Sequence, residues 1–123
     1  MAKILLDTNF LLVPAQFKVD IFEQLKEFGD DFVVLDSAIR ELKIIGKRKS
    51  VSGVSARIAL ELIKKHNIEI VKTVEKSADN AILKFAMEHG CVVATNDKKL
   101  IKRLRIKEIK IIRLRQRKYL IIE

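Results

Sequence analysis

The chain has 123 residues, of which 49% are hydrophobic, with one cysteine and a formal net charge of +9. This length supports one domain spanning residues 1–123 with a single core and excludes two independent domains. No apolar run approaches the roughly 18 residues of a membrane span, and the N-terminus has none of the segments of a secretory signal, so a cytoplasmic protein without a membrane partner is expected.

The charge is concentrated at one end. Residues 1–97 carry 14 basic and 14 acidic side chains, whereas residues 98–123 carry 11 basic and 2 acidic ones. A strongly basic C-terminal segment of this kind points to a polyanionic partner, of which nucleic acid is the commonest. The competing explanation is a solvated basic face in a heat-adapted chain rich in Lys, Glu, Arg and Ile. Cys91 cannot form an internal disulfide and precedes an apolar run, which suits a small core residue.

In chain order, Lys3-Ile4-Leu5-Leu6 reads as a buried strand that ends in Asp7-Thr8-Asn9. A short segment leads to Pro14, and Ile21, Phe22, Leu25 and Phe28 then recur at helical spacing over 19–28, up to Gly29. Phe32–Leu35 is a second strand, followed by a helix capped by Ser37 whose apolar face is Ala38, Leu42 and Ile45 and which stops at Gly46. Lys47-Arg48-Lys49-Ser50, with Ser52 and Gly53, reads as a basic loop. The spacing of Val54, Ile58, Ala59, Leu62 and Ile63 predicts a helix over 54–66. A strand at 68–71 follows, then a helix capped by Ser77 and ending near Gly90, and a strand at 92–94 that closes in Thr95-Asn96-Asp97. A helix from Lys98 to about Arg105 precedes two late strands, 109–114 and 119–122, whose connection Arg115-Gln116-Arg117-Lys118 lacks a tight-hairpin signature.

Strands that are unbroken apolar runs alternating with helices indicate α/β architecture: a three-layer α/β/α sandwich around a central, mainly parallel sheet. Sites in such folds form at the carboxyl ends of strands. Asp7 and Asp97 follow two of those strands, Glu41 lies about one turn into the helix that leaves the second strand, and Asp79 lies in the first turn of the helix feeding the fourth. Each has an ordinary alternative as a helix cap or dipole partner. Glu41 misses the capping-box register and flanks the apolar positions of its helix, where an acid needs a cation. Four acids on one edge would repel one another unless a divalent cation intervened, and oxygen-only ligands suit Mg²⁺ or Mn²⁺. His66 and His89 fall near helix C-termini, where capping is the expected role.

Asp7-Thr8-Asn9, Glu41, Ser77-Ala78-Asp79 and Thr95-Asn96-Asp97, in that order, resemble the acidic signature of the PIN-domain ribonucleases, and Ala94-Thr95-Asn96-Asp97-Lys98-Lys99-Leu100 is the most specific part. The tail looks more like archaeal relatives of the small-subunit processome PIN nuclease than like VapC toxins. Relatives of the first kind often have a second aspartate after the third acid, where this chain has Asn80. The resemblance implies a Mg²⁺- or Mn²⁺-dependent endoribonuclease in which Asp7, Glu41, Asp79 and Asp97 hold one or two ions. Thr8, Asn9, Asn80, Thr95 and Asn96 would orient those carboxylates or serve as turn caps. Its substrate would be RNA, a ribosomal RNA precursor in the first reading; an antitoxin partner accompanies the second, and dimers are common in such families. A non-catalytic RNA-binding module of ribosome assembly is the reading from a different class.

An acidic centre repels RNA, so flanking cations must supply the affinity. Lys47, Arg48 and Lys49 leave the Glu41 helix, Lys98, Lys99, Lys102 and Arg103 follow Asp97, and Arg113, Arg115 and Arg117 share one face if that segment is extended. With no tryptophan and one tyrosine, backbone or shape recognition is favoured over base stacking.

Overall fold

The computed structural model describes residues 3–123. Six strands form one sheet: β1 (Ile4–Leu6), β2 (Phe32–Leu35), β3 (Glu69–Val71), β4 (Val92–Ala94), β5 (Ile111–Arg115) and β6 (Tyr119–Ile122). Their order is β3-β2-β1-β4-β5-β6, with every pairing parallel except β5–β6. The chain builds outwards from β1 in one direction, then returns to β4 and builds in the other. The reversal falls between β1 and β4, where Leu6 sits opposite Ala94.

The strands are apolar throughout because both faces are covered. Successive side chains alternate between faces: Ile4 and Leu6 enter one core with Phe10, Ile21, Phe22, Leu42, Ala59 and Ile63, while Leu5 enters the other with Val33, Val93, Leu100 and Leu104. The first core lies under α1 (Thr8–Leu11), α2 (Val13–Phe17), α3 (Ile21–Leu25), α4 (Asp36–Gly46) and α5 (Val51–Lys65), and the second under α6 (Ala78–His89) and α7 (Lys98–Ile106). The α/β/α sandwich expected from the sequence is the observed one, and Cys91 is buried in the second core as expected.

Several local expectations change. The segment leading to Pro14 is helical, with Asp7 capping α1 and Pro14 in the first turn of α2, where its missing N–H costs nothing. The expected helix 19–28 is shortened to α3, capped by Asp20. Helix α4 begins at Asp36, so Ser37 lies inside it and is not its cap. The basic loop is tighter than expected: Ser50 caps α5, and Ser52 and Gly53 are within its first turn. Val54 and Ile58, expected on the buried face of α5, are exposed, and Gly53, Ser55 and Ala56 are buried instead.

Candidate active site

The carboxyl ends of β1 and β4 meet at the reversal of strand order, and the sequence places a polar residue at each. Asp7, directly after β1, is 8% exposed, and Thr95, directly after β4, is fully buried. The Thr95 hydroxyl donates to Asp7 Oδ2 at 2.7 Å, and the Thr8 backbone N–H donates to Asp7 Oδ1 at 2.8 Å. Thr95 Oγ1 in turn accepts from the Asp97 N–H at 3.1 Å, and Asp97 Oδ1 accepts from the N–H groups of Lys99 and Leu100 at the start of α7. One threonine thus ties the first acid to the loop carrying the fourth.

Burial raises the Asp7 carboxyl to about 6, opposed by the Thr95 and Thr8 hydrogen bonds and reinforced by the negative charges of Asp79 and Asp97. These three acids therefore act on one another. Asp79 stands half-buried in the first turn of α6, whose cap Ser77 accepts from the Asn80 N–H at 3.3 Å, as the sequence implied.

Glu41 departs from expectation. It is exposed on α4 and does not face the core, and it is not among the charges that raise Asp7. Residue 41 lies about 100° around the helix from Leu42, at the margin of the apolar stripe. Packing of α5 against α4 covers Leu42 and leaves Glu41 outside. It stays on the helix that leaves the carboxyl end of β2, next to β1. Asp36, which starts that helix, is a further carboxylate on the same edge; it accepts from the Thr73 N–H at 3.1 Å and pairs with Arg40 at 3.1 Å, so its work is structural.

The amides also serve the scaffold. Asn9 Oδ1 accepts from the Asn96 N–H at 3.3 Å, and Asn96 Oδ1 accepts from the Leu114 N–H at 2.8 Å, fixing the loop after β4 to β1 and β5. Neither amide hydrogen-bonds a carboxylate, contrary to the role expected for them. Asn80 Oδ1 accepts from Arg103 at 2.6 Å, which joins the starts of the two outer helices and brings a guanidinium next to Asp79 in the chain.

Among the described residues, no three His, Cys, Asp or Glu side chains gather closely enough to hold a metal ion. The donor chemistry nonetheless fits a hard divalent cation. Asp7, Asp79 and Asp97 offer only oxygen, their mutual repulsion calls for positive charge, and the ion pairs among the described residues all use other acids. His66 and His89 stand at helix ends, stacked on Phe22 and Phe85.

The basic residues fall into separate groups. Lys47, Arg48 and Lys49 are exposed at the tip of the α4–α5 hairpin, about 16 Å along α4 from the sheet edge. Lys98, Lys99, Lys102 and Arg103 are exposed on α7. Arg113 and Arg115 share a face of β5, but Arg117 lies in the β5–β6 turn at φ 57° and stacks over Phe17, so the expected three-residue row is broken. Sequence reading missed Arg105. Its spacing from Lys98 and Lys102 puts it on their face of α7, where Lys98, Ile101, Lys102, Arg105 and Arg113 line a cavity of about 280 Å³. Arg105 and Arg113 both pair with Glu123, the latter at 2.7 Å, and the Arg113 hydrogen bond is the main cause holding the Glu123 carboxyl below its usual range.

Comparison with known proteins agrees with this architecture. A family profile described as "PIN like domain" matches residues 4–117. Ribonuclease VapC9 of Archaeoglobus fulgidus is 34% identical over 119 residues, covering 95% of this chain and 86% of the relative. The rRNA-processing protein fcf1 of Schizosaccharomyces pombe is 34% identical over 108 residues, which cover 83% of this chain but only 53% of that protein. The solved structure of the PIN domain endonuclease Utp24 superposes with a TM-score of 0.80 at 31% identity, covering 98% of this chain and 90% of that one. No helix among the described residues is long and apolar enough to cross a membrane. With the acids at the ends of β1 and β4, the profile match along nearly the whole chain and the superposition on Utp24, the chain belongs to the PIN-domain family.

Proposed function

We propose that the protein is a cytoplasmic, divalent-metal-dependent endoribonuclease that hydrolyses RNA phosphodiester bonds in ribosomal RNA processing. The observation that carries this reading is the buried Asp7 at the reversal of strand order, felt by Asp79 and Asp97 and paired with no cation. Asp7, Asp79 and Asp97, joined by Glu41 from α4, would hold one or two Mg²⁺ or Mn²⁺ ions. A bound ion would supply the positive charge that lets these acids coexist ionised, activates water and offsets charge on the phosphate. Thr95 fixes Asp7 through Oδ2 and the Asp97 backbone through its Oγ1. Asp97 is held against rotation by the N–H groups opening α7. The cations of α7 then hold the RNA backbone against the repulsion of the acids.

The likeness to fcf1 and Utp24 supports the ribosomal assignment, and the equal identity to VapC9 supports a toxin ribonuclease as the second reading. An antitoxin gene beside this one would favour the toxin. Incubation of single-stranded and structured RNA with wild type, Asp7→Asn and Asp97→Asn in Mn²⁺, Mg²⁺ or EDTA tests the chemistry. Cleavage should require metal and fall by roughly 100-fold or more in both variants. Tight RNA binding without metal-stimulated cleavage would identify a non-catalytic assembly module, and full activity in EDTA would refute the metal mechanism. The homodimer expected for such a protein would use the outer face of α5, which exposes apolar side chains between charges of both signs.

A further inference from the structure

We propose that the cavity between α7 and β5 is a phosphate subsite for the RNA strand beside the scissile bond, and that the Glu123 carboxylate occupies it as an internal anion until RNA displaces it. The inference rests on the RNA-directed reading above but not on catalysis. Lys98, Ile101, Lys102 and Arg105 follow one another at intervals of three or four residues or on adjoining positions of one face of α7, and Arg113 closes the cavity from β5. Arg113 points to the α7 side because it shares strand parity with Ile111, which is buried among Leu100 and Leu104.

Like charges do not gather around a shared hollow without an anion. Here the anion is already present: Glu123 accepts from Arg105 and, at 2.9 Å, from Arg113 Nε. A carboxylate held by two guanidinium groups has the charge and donor geometry of a bound phosphodiester. Lys98 and Lys102 line the same cavity and form no ion pair among the described residues, so the cations there exceed the internal anion. The site begins directly after Asp97 and extends about 10 Å along α7, which keeps it beside the acids. An isolated surface pair would have no such neighbours.

The test is fluorescence-anisotropy titration of a labelled single-stranded RNA in EDTA, from 50 to 200 mM salt, so that binding is read without turnover. The Lys102→Ala/Arg105→Ala double variant should bind several-fold more weakly and lower the slope of log K against log salt by about 1.4, at roughly 0.7 per lost phosphate contact on a single strand. Glu123→Gln should act oppositely, tightening binding about threefold and steepening the slope by about 0.7. If Glu123→Gln lowers thermal stability and leaves RNA affinity and slope unchanged, Glu123 is a strand clasp and the proposal fails. An unchanged slope in the double variant overturns it equally. Altered binding in these variants together with no metal-dependent cleavage by wild type would refute the nuclease reading and leave the subsite standing.

Discussion

Burial raises the Asp7 carboxyl to about 6, so without a bound cation the folded chain retains a proton there over a pH range in which the unfolded chain, with an ordinary carboxyl near 4, has lost it. The contribution of this group to stability is therefore fully present below about pH 4 and is lost as pH rises through about 6. A carboxyl raised this far above its ordinary range accounts for about 3 kcal/mol at most. In EDTA, Asp7→Asn should accordingly melt higher than wild type at pH 7.5 and about equally at pH 4, measured by thermal denaturation at both. Equal destabilisation at both pH values would mean that the ionised carboxylate is well solvated and that burial does not penalise its charge. At this scale the sequence is readable where position alone decides: an acid directly after a buried strand must be at the sheet edge. It is less readable where a neighbouring element decides. Glu41 sits one residue from Leu42, and only the placement of α5 determines which of the two is covered.

The elements themselves were legible from apolar periodicity, and the misplaced boundaries have tertiary causes. Ser52 and Gly53 have the composition of a loop, yet both are helical because Gly53 lets the first turn of α5 lie against the preceding turn. A Cβ on Gly53 would stand 1.9 Å from the Arg48 carbonyl oxygen, and Arg57 further secures that turn by donating to the carbonyls of Gly46 and Arg48. The β5–β6 turn is similar: Gln116 and Arg117 adopt φ 54° and 57° without being glycine or asparagine, and Gln24 holds the returning strand through the Lys118 carbonyl and the Leu120 N–H. No local signal announces either arrangement. Gly53→Ala should destabilise the fold by about 1–3 kcal/mol, since a backbone carbonyl cannot yield as a side-chain tip would. Urea denaturation measures it, and an unchanged midpoint would show that α5 does not press on the Arg48 carbonyl.

Across the whole molecule the two cores are closed on every side but one. The outer face of α5 exposes Val51, Val54 and Ile58, which are 79%, 47% and 40% accessible, and Val54, Arg57, Ile58, Leu60, Glu61 and Leu62 line a groove of about 410 Å³ there. Its occupant is argued from charge. Arg57 and Glu61 stand four residues apart on the groove wall, so a two-fold related copy can set its Glu61 against this Arg57 and this Glu61 against its Arg57, with the apolar residues meeting between them. A contact of one sign would exclude a second copy, whereas this one is self-complementary. Stable interfaces bury about 800 Å² per partner with apolar anchors near the centre, and Ile58 holds that place in the stripe. Sedimentation velocity at micromolar concentration should give a wild-type dimer, and Ile58→Glu should give a monomer with an unchanged far-ultraviolet spectrum. The charge reversal Arg57→Glu alone should weaken the dimer, and adding Glu61→Arg should restore it by re-forming the pairs in the opposite sense. A monomeric wild type, or a dimer untouched by Ile58→Glu, would remove the α5 face from the assembly of the protein.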